Sequence, residues 1–443
     1  MLPPRSGKPS RGDPREASLA IERFLKASTK PVLIDPGEDP LPIATGMFAV
    51  TERPSSVTIE CWDEKRNLSR RVTSVKLEKP GRLDLEVEHF GGRTGVLTLV
   101  DLNRTTPAIA ARKGARLKYR ERFRQSLHRQ FPGWRVAELS TEQDLHHSLS
   151  PAYPRALLRR GTSALAAIGA PEDSPTPEAA LSFGLIWLDY LRRREPRLSV
   201  EGLALFVPAG RENALCHRIR FLDPSAARYL VFVHDGAAYE QMVEPRDYTN
   251  LDTRLDPGGG RAPRLPTPGQ PEAQFEARIR ANIEALDATL HTQPVYGQVA
   301  QFAGGDRGII DLLAVDRAAR LAVIELKVHQ DIHLPLQALD YWMRVQWHLS
   351  RGEFAERGYF TGIPLQIEAA PRLLLVAPAL EYHPSNETVL AYFSPHVPVE
   401  RVGVGIEWIR ELKVMFRAPG KPYSQSGRIA QLHQPWPLLS SAK

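Results

Sequence analysis

Apolar and polar residues alternate roughly by two along Val57–Trp62, and strictly along Leu83–Glu88. Gly91-Gly92 follow, and Gly95–Leu102 is apolar-rich again, a pattern that predicts strands joined by a hairpin. Residues 19–105 therefore read as a β-rich module with one short helix, Leu19–Lys26, at its front. From Ala108 to Gln130 the spacing changes. Leu117, Tyr119, Phe123, Leu127 and Phe131 recur at a helical period. Trp134–Leu139 reads as a short strand, Arg155–Ile168 as a second helix and Gly169–Glu178 as a linker. Leu181–Arg194 reads as a helix with the basic C-terminal end that its dipole favours. Gly202–Val207, Cys216–Phe221 and Tyr229–His234 read as strands, which makes 106–251 a mixed α/β region.

Residues 252–271 hold five prolines and four glycines, so they are expected to be a linker. Residues 1–18 and 418–443 carry no apolar period and are expected to be a disordered arm and tail. No repeat of fixed period is visible. Between linker and tail, 272–417 reads as a third unit. Phe275, Ile279, Ile283, Leu286 and Leu290 give Glu272–Leu290 one apolar helical face. Tyr296–Phe302 is a strand, followed by a turn at 304–308. Ile309–Val315 is an apolar strand interrupted by Asp311, and Leu321–Val328 is a strand carrying Glu325 and Lys327 near its end.

A charge inside an apolar strand is costly unless it is paired, solvated or bound to a cation. Glu325 and Lys327 are two residues apart and share a strand face. A hairpin centred on Ala318 makes Asp311 and Glu325 cross-strand neighbours, with Cβ atoms roughly 4.5–5.5 Å apart. Two such carboxylates repel unless a divalent cation lies between them. Magnesium takes one or two carboxylates and keeps several waters. A neighbouring lysine can orient a water or stabilise charge developing on a phosphate.

These pieces resemble the PD-(D/E)xK nuclease superfamily, the restriction-endonuclease-like fold. The resemblance rests on a helix with Glu276, the G-I-I-D strand, the E-L-K strand, and the following helix LPLQALDYWMRV with Gln337 and Tyr341. It covers roughly 272–377, and the proline of the family name is Ile310 here. It implies a C-terminal mixed sheet flanked by helices, in an α/β chain whose β-rich module and mixed middle region come first. It also implies Asp311 and Glu325 as ligands of Mg²⁺ or Mn²⁺, with the Leu326 carbonyl as a third. Lys327 would be the catalytic lysine, Glu276 an auxiliary acid, and Gln337 and Tyr341 supporting residues. The H-Q-D-I-H run, His329–His333, reads as a solvated or substrate-facing loop rather than a metal site.

Charge adds a partner. The whole chain carries a formal +7, yet 271–417 has 14 Lys+Arg against 18 Asp+Glu. The basic surplus lies in the N-terminal part and the tail. It is densest in 112–129, with eight Lys or Arg and one acid. Arg112, Lys113, Arg116, Lys118, Arg120 and Arg124 are the candidate phosphate contacts, and the expected partner is nucleic acid, DNA first. No Walker A, G-x-S-x-G, H-E-x-x-H, C-x-x-C or G-x-G-x-x-G motif occurs, so no nucleotide cofactor is expected. No apolar run reaches the 18–20 or so residues of a membrane span. The N-terminus does not read as a secretory signal, and Cys61 and Cys216 lie far apart, so the expected compartment is the cytoplasm. The expectation is a metal-dependent DNA nuclease, an endonuclease first, whose N-terminal regions hold the substrate. Two rivals stay open: a non-catalytic nucleic-acid-binding protein with a vestigial nuclease fold, and an RNA-directed nuclease or a subunit of a larger complex. A homodimer is open too.

Overall fold

A computed structural model describes residues 14–420, apart from 36–40, 45–46, 54–55, 63–66, 89–93, 102–106, 145–147, 175, 236–239, 252, 257–270 and 304–305. The described residues form three sheets of seven, six and seven strands with helices on their faces, a mixed α/β architecture. No described helix is long and apolar enough to cross a membrane.

The first sheet contains β1 (Pro31–Ile34), β2 (Leu41–Pro42), β3 (Phe48–Arg53), β4 (Ser56–Trp62), β5 (Asn67–Lys79), β6 (Arg82–Glu88) and β7 (Thr94–Asp101). It is antiparallel throughout, in the order β2-β1-β7-β6-β5-β4-β3. The alternation seen in the sequence turns Val57, Ile59 and Cys61, and Leu83, Leu85 and Val87, to one core. Helix α1 (Pro14–Ala27) covers that core with Ala17, Ile21 and Phe24. It begins inside the stretch expected to be a disordered arm, because Ala17, Ala20 and Ile21 extend the apolar stripe toward the N-terminus. Residues 1–13 lie outside the described ones.

The second sheet follows helix α2 (Pro107–Gln130) and contains β8 (Arg135–Ser140), β9 (Arg155–Arg160), β10 (Ser163–Gly169), β11 (Ser199–Pro208), β12 (Arg228–His234) and β13 (Glu240–Val243). Helices α3 (Ala179–Arg194) and α4 (Asn213–Ile219) connect the parallel strands β10, β11 and β12, and the outer pairs are antiparallel. Two expectations are corrected here. Arg155–Ile168 is a hairpin and not a helix. Gly161, at φ +63°, makes its turn, and its apolar residues are buried on both faces, which erases the period of two. Cys216–Phe221 lies in and just after α4 and not in a strand. Its alternating C-H-R-I-R-F imitates one, but β11 and β12 are parallel and need a crossover between them.

The third sheet contains β14 (Thr253–Leu255), β15 (Tyr296–Ala303), β16 (Asp306–Val315), β17 (Leu321–Leu326), β18 (Arg372–Pro378), β19 (Val399–Val404) and β20 (Val414–Pro419), in chain order across the sheet. Helices α5 (Pro271–Ala281) and α6 (Ile283–Leu286) precede β15, so the apolar face expected over Glu272–Leu290 is broken at Asn282. Helix α7 (Leu334–Leu349), the short α8 (Glu353–Glu356) and α9 (Ser385–Leu390) lie between the parallel strands β17, β18 and β19. Thr253–Leu255 belongs to this sheet rather than to a linker, since Leu255 is fully buried against β15. Residues 418–419, expected in the tail, likewise belong to β20, and 421–443 lie outside the described residues.

Apart from β14, α6 and α8, which have no counterpart among the described residues of the second unit, the second and third sheets repeat one topology. A helix precedes three antiparallel strands. A sixteen-residue helix crosses to a parallel strand, a short helix crosses to another, and an antiparallel strand closes the edge. The two repeats share one core, in which α3 packs against α9 and α4 against α7. The contacts are reciprocal. The Asp223 N–H donates to the Tyr392 carbonyl and the Ser394 N–H to the Phe221 carbonyl, each at 2.8 Å, on either side of a bridge between Leu222 and Phe393. That is the pattern of a two-fold interface made within one chain. It escapes a search for fixed periods because the loops of the two repeats differ in length.

One buried ion pair joins the repeats. Arg218 on α4 donates to both oxygens of Asp340 on α7, at 2.8 and 2.5 Å. Arg218→Ala leaves Asp340 without its partner in a largely buried seam, and the expected cost is about 3–5 kcal/mol in urea unfolding. A cost below about 1 kcal/mol would show that the seam does not depend on this pair.

Candidate active site

Strands β16 and β17 form a hairpin with Leu312 opposite Ile324 and Val315 opposite Leu321, turning at Asp316–Arg320. Extending that register by one residue sets Asp311 opposite Glu325, and the Asp311 carboxylate acts on the Glu325 carboxyl. Here the backbone ladder gives way to a side chain. The Leu326 N–H donates to Asp311 Oδ2 at 2.9 Å. On β17, Leu321 and Val323 face the shared core beside α7, and Glu325 continues the same face.

Glu325 is 1% exposed, and its Oε2 has no hydrogen-bond partner among the described residues. Its other oxygen lies 3.9 Å from Lys327 Nζ, which is 3.8 Å from Asp331 Oδ2. Burial, and next the Asp311 carboxylate, push the Glu325 carboxyl well above its ordinary value. Burial raises Asp311 to about 7; the Leu326 N–H and Lys327 oppose this, while Glu276 and Glu272 add to it. Burial disfavours the charge on Lys327, but Asp331, Glu325, Glu272 and Asp311 outweigh it and raise the ammonium above its usual range. Lys327 is therefore a fixed cation rather than a proton acceptor.

Glu276, on α5, accepts from Gln298 Nε2 at 2.5 Å, and burial raises its carboxyl. A side chain at Gly297 would crowd Glu276 Oε1 at 2.7 Å and Arg280 Nη1 at 2.8 Å, so glycine leaves room for these two side-chain ends beside β15. Glu276 raises Asp311, and Glu272, one turn earlier, acts on Asp311, Glu325 and Lys327. The sequence reading passed over Glu272, which a helical wheel places on the same side of α5 as Glu276. Gln337 donates to the Tyr341 hydroxyl at 3.2 Å, and burial first and the Glu325 charge second oppose the ionisation of that phenol. The H-Q-D-I-H run divides. His329 is exposed, Asp331 pairs with Lys327, and His333 Nδ1 lies 3.0 Å from the Ser182 hydroxyl of the other repeat. Asp331 is the second residue the sequence reading left out of the site.

Among the described residues, no three His, Cys, Asp or Glu side chains are grouped as a ready-made metal cage. The donor set at the hairpin still suits a hard divalent cation. Two carboxylates share one rung, and one buried oxygen lacks a partner. Such ions accept one or two carboxylates and complete their shell with water and carbonyl oxygens.

The basic helix lies elsewhere. Tyr119, Phe123 and Leu127 pack it on the second sheet, while Leu117 is 48% exposed and leaves the expected stripe. Arg124 pairs with Glu121 at 2.7 Å, Arg122 with Glu172 and Arg129 with Glu240. Arg120 donates to the Leu139 carbonyl. Arg116 is half-buried and Lys118 exposed. The side chains of Arg112 and Lys113 lie outside the described ones. The dense charge of the sequence is thus partly neutralised by acids from distant segments.

In comparisons with known proteins, no family model and no curated protein matches this chain.

Proposed function

We propose that the chain is a divalent-metal-dependent nuclease that hydrolyses phosphodiester bonds in DNA, with its catalytic centre at Asp311, Glu325 and Lys327. The observation that carries this reading is the buried Glu325 oxygen, unpartnered among the described residues, across the hairpin from Asp311. A fully buried carboxyl across from a second carboxyl and beside a lysine is costly in a purely structural role. The mixed sheet with helices on both faces is the arrangement that a PD-(D/E)xK resemblance implies, and it supports the reading.

Asp311 and Glu325 would hold Mg²⁺ or Mn²⁺, with the Leu326 carbonyl beside them. When bound, such an ion supplies Lewis-acid polarisation of a phosphoryl oxygen and an acidified water. Lys327, held protonated by four acids, stabilises negative charge developing on the reacting phosphate. The Leu326 N–H fixes the Asp311 carboxylate, so that oxygen need not reorient during reaction. Tyr341 and Gln337, bonded to each other, wall the site on the α7 side. Glu272 adds negative charge that favours cation binding.

The test is purified protein incubated with Mg²⁺, Mn²⁺ or EDTA on linear, circular, single-stranded and branched DNA and on RNA. Metal-dependent release of DNA fragments supports the reading. Cleavage of RNA alone, or cleavage that survives EDTA, counts against it.

Substrate binding has its own expected outcome. Among the described residues no acid pairs with Arg116 or Lys118, whereas Glu121 pairs with Arg124. Arg116→Glu with Lys118→Glu should weaken DNA binding and reduce the slope of log K against log salt by about 2. A slope equal to the parent's would make α2 an ordinary solvated surface.

A further inference from the structure

The repeated topology allows the two halves to be compared residue by residue. In the third sheet, Leu326 pairs with Val376 and the Lys327 N–H donates to the Val376 carbonyl at 3.0 Å. In the second sheet, Gly169 pairs with Phe206 and the Ala170 N–H donates to the Phe206 carbonyl at 2.8 Å. Ala170 therefore stands where Lys327 stands, and Ile168 where Glu325 stands. Across the hairpin, Ile168 pairs with Arg155, which takes the place of Asp311.

None of the three keeps the chemistry. Ile168 and Ala170 are buried in the shared core. Arg155 donates to the Glu142 carbonyl at 2.8 Å and lies over the Trp187 ring, 5.5 Å from its centre. A cation placed there would meet a guanidinium and two apolar side chains. The charge of the repeats is opposite as well. Residues 107–251 hold 21 Lys+Arg against 16 Asp+Glu, whereas 271–417 hold 14 against 18. One repeat attracts a polyanion and the other, before a cation binds, repels it.

We infer that the second sheet with its helices is a non-catalytic repeat of the catalytic unit, and that one chain engages duplex DNA as an internal pseudo-dimer that cuts one strand. The inference rests on the nuclease reading above. The dyad of a duplex presents two backbones to a two-fold protein, and proteins of that symmetry contact both. Here both halves contact phosphates but only one can hydrolyse. In each event one water adds to phosphorus and one P–O bond breaks. The water proton passes to the departing oxygen, by way of solvent, and the products are a phosphate monoester and a hydroxyl.

Two readouts on the full chain test this. In the first, Mn²⁺ is titrated into the parent and into Asp311→Asn, which preserves shape. All of the Mn²⁺ binding should vanish in the variant, and a binding site that survives would overturn the inference. In the second, supercoiled plasmid is cut with Mg²⁺ at dilute protein. Open-circle DNA should accumulate as the main product before linear DNA appears. Linear DNA formed directly, without an open-circle stage, would overturn the inference while leaving the nuclease reading intact. A parent that neither binds Mn²⁺ nor cuts DNA would instead remove the nuclease reading itself, and the inference with it.

Discussion

Asp311→Ala should reduce DNA cleavage to background while leaving DNA binding near the parent's. Asp311 is half of the carboxylate pair, and its place is set by a backbone donor, the Leu326 N–H at 2.9 Å. Without it, Glu325 alone faces the cation, and the geometry that holds the ion beside Lys327 is gone. Metal-ion catalysis supplies several kcal/mol, so a loss of about 4 kcal/mol corresponds to roughly a thousand-fold in rate. Binding should persist because the basic surplus lies in the middle repeat. Single-turnover cleavage of a labelled duplex, with binding followed in Ca²⁺, separates the two effects. An Asp311→Ala protein that cuts at the parent rate would place any activity elsewhere in the chain.

Glu325→Gln should stabilise the metal-free protein and abolish its thermal response to Mn²⁺. Burial and Asp311 raise the Glu325 carboxyl well above its ordinary value. A carboxyl raised on folding contributes stability that is fully present below its unfolded value, near pH 4.5, and is lost as pH rises through its folded value. The neutral amide escapes that loss. The gain in Tm over the parent should therefore be large at pH 8 and shrink toward pH 4. The parent should also show a greater Tm increase with Mn²⁺ at pH 8 than at pH 6, because at the lower pH the cation must displace a proton from Asp311, raised to about 7. Differential scanning fluorimetry across that range reads both effects. A Glu325→Gln protein less stable than the parent at pH 8, yet still responsive to Mn²⁺, would assign Glu325 a structural role.

The hairpin that brings Asp311 to Glu325 was legible because strand pairing is set by simple arithmetic about a turn and the flanking residues are uniformly apolar. The β-rich module was legible for a related reason: its sheet has one apolar face, so its strands alternate. The middle region was harder. Leu157, Ala164 and Ala166 face one core while Leu158, Leu165 and Ala167 face another, so this two-sided hairpin shows no period of two and reads as a helix. Glu272 and Asp331 were missed because their part in the site depends on how α5 and the loop after β17 approach the sheet, which spacing does not fix. The neutralisation of Arg122 and Arg129 by Glu172 and Glu240 was invisible for the same reason, since the partners lie far away in sequence. The two-fold relation between the second and third sheets survives in hydrogen bonds and topology, while the chemical residues differ at every catalytic position.

The most direct test is anomalous diffraction from crystals of the full chain grown with Mn²⁺. A single peak between the carboxylates of Asp311 and Glu325, with the Leu326 carbonyl in its shell and none at Arg155, is the expected result. A peak elsewhere, or none at this pair under conditions in which the protein cuts DNA, would contradict a catalytic centre built on Asp311, Glu325 and Lys327.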